Sequence, residues 1–129
     1  MRILNRKLTL VEDPATGIVN CLAGCTVELN ALETASLLNP FHPGFRLSCV
    51  LLGIDPGPDT TLFHFEDRIF NNIVQIAGLN QVFEKNLGKV VLNEDVSGSD
   101  EIRAQFTLSD RSNGQSVVRR SNVVQGNFD

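Results

Sequence analysis

Residues 101–110 alternate almost without interruption, and no other stretch limits the fold so tightly. Ile102, Ala104, Phe106 and Leu108 point one way; Glu101, Arg103, Gln105, Thr107 and Ser109 point the other. A period of two belongs to a strand with one face on a core and one in water. Arg111-Ser112-Asn113-Gly114-Gln115 follows, and Asn-Gly is the strongest short-range hairpin signal. Residues 116–124 then read as the returning strand. A two-residue Asn113-Gly114 turn would set Arg119 against Leu108. A three-residue loop, 112–114 with Gly114 left-handed, pairs Val118 with Leu108 and Val124 with Ile102, so that register is expected. It leaves Arg120 opposite Phe106, an inward charge of the kind that protects a last strand.

The rest of the chain carries the same β signature. Residues 2–12 alternate as a first strand, and Asp13-Pro14-Ala15-Thr16-Gly17 is a turn by composition. Residues 18–29 form a second strand with Val19, Cys21, Ala23, Cys25, Val27 and Leu29 on one side; Gly24 suggests a bulge or a close backbone approach. Asn30 followed by Glu33 is a capping box, so a helix of one or two turns starts there, with Leu32, Ala35 and Leu38 sharing a face before Asn39-Pro40 ends it. His42, between two prolines, reads as an exposed loop residue.

Residues 45–54 are apolar on both faces, which predicts a strand packed on both sides or an association surface. After the rigid turn at 55–59 the β pattern resumes over 60–70, with Phe63 and Phe65 inward. Residues 72–87 fit a helical stripe through Ile73, Ile76, Ala77, Phe83 and Leu87, capped by Asn72 and ended at Gly88. Two strands, 73–77 and 81–85, fit nearly as well. Residues 89–93 read as a short strand, 94–101 as an acidic loop, and 125–129 as a frayed tail.

Together these predict a single all-β domain over residues 1–129. Its architecture resembles an antiparallel, immunoglobulin-like β-sandwich with one or two short helical connections. A net charge of −4 argues against nucleic acid as the main partner. No apolar run is long enough to cross a membrane as a helix. The first eleven residues are charged and alternating rather than a signal peptide, so a cytoplasmic setting is expected.

Eight phenylalanines stand with no Trp or Tyr. Phenylalanine has no polar handle, so all eight read as core, and a carbohydrate or antigen-type paratope is disfavoured. Cys21 and Cys25, four apart on one strand, lie about 13 Å from one another, so they bridge only if Ala23-Gly24 folds back. With Cys49 they read as buried reduced thiols.

Chemistry-bearing constellations are thin, and no catalytic, cofactor or metal residue is assigned. Cys49, His64 and Asp67 are the best thiol–imidazole–carboxylate set, but His64 and Asp67 have opposite parity in a straight strand. Asp13, Asp55, Asp59, Glu94, Asp95, Asp100 and Glu101 lie in three turn or loop regions. This layout resembles the calcium loops of C2-type domains, which gather carboxylates around a hard cation. The resemblance implies a calcium-dependent ligand-binding sandwich as the alternative function. The leading expectation is a non-catalytic module that binds a protein partner or copies of itself. Three features motivate it: the two-faced strand at 45–54, the Leu62/Phe63/Phe65 patch and the edge at 117–124.

Overall fold

The alternating runs do form strands, and their apolar rows meet in one core. The computed structural model describes residues 1–55, 57–72, 80–93 and 100–128. Two antiparallel sheets face each other. One has the order β1 (Arg2–Asp13), β2 (Ile18–Glu28), β6 (Asn80–Gly88). The other centres on β3 (Phe45–Gly53) and β7 (Asp100–Asp110). β4 (Thr60–His64) and β5 (Arg68–Phe70) pair with the outer side of β3, and β8 (Ser116–Arg120) and β9 (Val124–Gly126) with the outer side of β7. Short helices α1 (Ala31–Ser36) and α2 (Lys89–Leu92) complete the described elements. Val19, Cys21, Ala23, Cys25 and Val27 of β2 face Phe45, Leu47, Cys49 and Leu51 of β3 and Ile102, Ala104, Phe106 and Leu108 of β7 in the shared core.

Several expectations are corrected by this arrangement. Ile3 and Leu8 have opposite parity, yet both are buried. The β1–β2 register shifts between Leu4 and Lys7, around Asn5 at φ 52°, and the extra residue resets the phase of β1. The extra residue is on β1, directly across from the Gly24–Thr26 stretch of β2 where Gly24 suggests a bulge, while the β6 side of Gly24 is paired regularly. Within 72–87, residues 80–88 are strand rather than helix, and 73–79 lie outside the described residues. Phe83 and Leu87 are four apart, a spacing shared by a helical stripe and one face of a strand, which is why periodicity misled. Residues 89–92 form a single helical turn rather than a strand, burying Leu92. The tail is held as far as residue 128: Gln125 and Gly126 lie in β9 and Phe128 is buried.

The hairpin register is also one residue off expectation at its start. Val117, not Val118, faces Leu108, and Arg119, not Arg120, faces Phe106. Asp110 sets this. Its carboxylate Oδ1 accepts from the Ser112 N–H and hydroxyl at 2.9 and 2.6 Å, and its carbonyl accepts from Gly114 N at 2.9 Å, giving a four-residue loop. Gly114 is left-handed as expected, with φ 75°. The three residues between β8 and β9 add one position, so Val124 does meet Ile102.

The sheets are tied along both open sides by side chains that reach backbone. Asn122 accepts from Leu8 N at 2.8 Å and donates to Leu8 O at 3.1 Å, imitating a strand neighbour for β1. On the opposite side Arg68 of β5 donates to Gln81 Oε1 and to Val82 O of β6, and its guanidinium lies 4.1 Å above the Phe83 ring.

Candidate contact site around Phe41

The groups weighed for catalysis do not assemble into a catalytic set. Cys49 faces the core with no exposure. His64 pairs across from Val50 on the outer face, where its Nε2 meets Asp67 Oδ1 at 3.0 Å. The chain breaks out of strand after His64, which lets these two meet despite their parity. That contact is the main reason the Asp67 carboxyl titrates below its ordinary range; Ser48 and Arg46 help, and slight burial opposes. The thiol and the imidazole therefore lie on opposite faces of one sheet. Burial pushes the thiols of Cys21 and Cys25 up to about 11 and that of Cys49 higher still, so none is a ready nucleophile.

Among the described residues, the carboxylates considered for calcium have other partners. Asp59 takes Arg103 at 2.5 Å, Asp55 accepts from the Thr60 hydroxyl at 2.6 Å, and Asp13 accepts from Ala15 N at 3.0 Å. Asp100 is buried at the start of β7, and Glu94 and Asp95 lie outside the described residues. Among the described residues no three His, Cys, Asp or Glu side chains gather as a metal site.

The features that suggested association are largely absorbed by the fold. On β3, Leu52 is buried although its neighbours Arg46, Ser48 and Val50 on that face are not; Leu62 and Phe63 pack partly against the core, and Phe65 is buried. The β8 edge is guarded. The carbonyls of Val118 and Arg120 point away from β7, and each accepts from an arginine, Arg119 and Arg6 respectively.

Of the four most exposed large apolar side chains among the described residues, three lie between β2 and β3; the fourth, Val90, is on α2. The capping box at Asn30 forms as the sequence predicts, with Glu33 N bonded to Asn30 Oδ1 at 2.8 Å and Asn30 N to Glu33 Oε1 at 3.0 Å. The helix does not bury the face expected of it. Leu37 reaches the core, whereas Leu32 is 83 % and Leu38 70 % exposed. Leu37, Leu38 and Asn39 bond back three residues, so the chain tightens after α1 instead of continuing it. Phe41 follows, 91 % exposed, the sole strongly exposed ring of the eight.

The backbone beneath Phe41 is tightly fixed. His42 N bonds to Asn39 O at 3.0 Å, closing a β-turn with Pro40 at its second position, and Phe41 N bonds to Asn39 Oδ1 at 3.0 Å. The His42 side chain is enclosed rather than exposed as its flanking prolines suggest, with 8 % of it accessible. Its ring stacks on Phe45 at 5.4 Å, its Nδ1 accepts from Gly44 N at 2.9 Å, and its Nε2 lies 3.4 Å from Asp110 Oδ1. Gly44, at φ 91°, sits so close to β5 that a Cβ there would stand 2.4 Å from Phe70 O. Arg111 closes the far side, its N donating to Gly44 O at 3.0 Å and its Nη1 to Pro43 O at 2.6 Å. Between Ala31 and Gly44 the only carboxylate is Glu33, which is engaged in the cap. The result is a nearly uncharged projection with a stiff base and a bare aromatic tip.

No family model, curated protein or solved structure matches this chain.

Proposed function

We propose that this chain is a non-catalytic sandwich that binds another protein through the turn carrying Phe41, with Leu32 and Leu38 as flanking contacts. One observation carries the reading: an almost wholly exposed phenylalanine sits on a turn held by the His42 ring stacked on Phe45 of β3 and by Arg111 of the β7–β8 hairpin. A ring left in water adds nothing to the fold, whereas burying one stabilises an assembly by about 1.5–3 kcal/mol. A rigid base removes much of the ordering cost that binding otherwise incurs. Aromatic anchors of this kind are where interface energy concentrates. A two-sheet sandwich with the expected immunoglobulin-like layout would fit such a role, and three unpaired buried cysteines suit a reducing compartment such as the cytoplasm.

Self-association is the variant in which the partner is a second copy. The guarded β8 edge turns that variant away from strand addition and toward side-chain docking at the same turn. The test is a photo-crosslinking phenylalanine analogue placed at Phe41 and, as a control, at the exposed Val82 on the outer face of the β1–β2–β6 sheet. A discrete adduct from position 41 and none from position 82 is expected. An adduct of the chain with itself would identify the self-associating variant. Absence of any adduct from position 41 would refute the reading.

A further inference from the structure

We infer that His42 is a proton-sensitive latch on the Phe41 turn, an inference that rests on the proposed role of that turn. The tautomer follows from geometry. Nδ1 accepts the Gly44 N–H, so the ring proton of the neutral form is on Nε2, which lies 3.4 Å from Asp110 Oδ1 without a hydrogen bond to it. A second proton must go to Nδ1, where it would confront the Gly44 N–H head-on. Gly44 has little room to turn aside, because its Cα packs against the Phe70 carbonyl and its own carbonyl is held by Arg111 N. The imidazole must yield instead, leaving its stack on Phe45 and freeing the residues between Asn39 and Gly44.

Two charged groups face the site from the β7–β8 hairpin. Asp110 favours the added charge, but its Oδ1 already accepts two bonds from Ser112. The Arg111 guanidinium, bound to Pro43 O, opposes it. Asp110 also lies at the Nε2 side of the ring, so its attraction does not relieve the collision at Nδ1. The turn is therefore held when His42 is neutral and released when the ring takes a second proton.

The test uses the full chain and needs no binding partner, so its outcome is separable from the binding reading. Hydrogen-exchange protection of the Gly44 amide is followed by NMR from about pH 8 to about pH 5, with His42 and His64 ring resonances recorded alongside. Protection is expected to fall about tenfold or more in step with His42. The exposed His64→Asn control and Phe41→Ala should leave this transition in place. His42→Asn, whose amide oxygen can occupy the Nδ1 position without titrating, should abolish it. Protection that stays constant with pH, or a transition that persists in His42→Asn, would overturn the latch. Should His42→Asn fail to fold, the wild-type midpoints decide: coincidence of the Gly44 and His42 transitions supports the latch, and separate midpoints refute it.

Discussion

Phe41 and Phe45 lie four residues apart and play opposite parts. Phe45 has no exposed surface and anchors the end of β3 beneath His42, while Phe41 projects into solvent. Replacing Phe45 by Ala should cost about 3–5 kcal/mol. The same change at Phe41 should move stability by no more than about 0.5 kcal/mol, both read from urea unfolding. Seven of the eight phenylalanines follow the rule that an apolar ring without a polar handle packs inside or against the core. Phe41 breaks that rule. Nothing in its residue type could reveal this, because apolarity predicts burial without saying whether the fold or a partner supplies it. His42 was equally hidden, since the Asp110 and Arg111 groups that enclose it lie far along the chain. The cysteines behave as their composition suggests: buried and unpaired, they should resist an aromatic disulfide reagent until the chain unfolds. Rapid labelling of the native protein would show the core more open than the packing indicates.

The strands were the most legible elements, because β2 and β7 each combine clean alternation with one buried row and β3 is a short run apolar on both faces. The capping box of α1 was equally plain, being a local pattern satisfied within four residues. Elements that depend on distant partners were not. β6 hides its parity because Lys85 shares the inward row with Phe83 and Leu87 yet stays exposed at an open edge. The hairpin loop gained a residue through Asp110, a choice that pairing of apolar residues alone could not anticipate. Asn122, between β8 and β9, carries no sequence signal at all, although it bonds both polar groups of Leu8. Asn122→Ala should therefore leave a partly buried N–H and C=O without their partners and cost about 1–3 kcal/mol. A urea midpoint unchanged by that substitution would mean the β1 side is held by packing alone.

Taken as a molecule, the sandwich has its sheet sides closed by Asn122 and Arg68 and its β8 edge guarded by Arg6 and Arg119. Its stability should fall at alkaline pH for a reason set in the core. The three thiols ionise less readily when folded than at their ordinary value of 9.0. Folded pKa values above unfolded ones mean a contribution complete below pH 9.0 and lost as pH rises toward about 11. Each thiol then removes about 1.4 kcal/mol per pH unit, and replacing Cys21 by Ala should flatten the decline measured by thermal unfolding.

The central claim is that recognition resides in the Phe41 turn, and competition tests it most directly. The chain carrying the crosslinker at Phe41 is irradiated in its native cellular setting alongside excess unlabelled chain. Wild-type competitor should suppress the adduct, and a Phe41→Ala competitor of equal stability should not. Equal suppression by both would place the contact elsewhere on the sandwich and contradict the account.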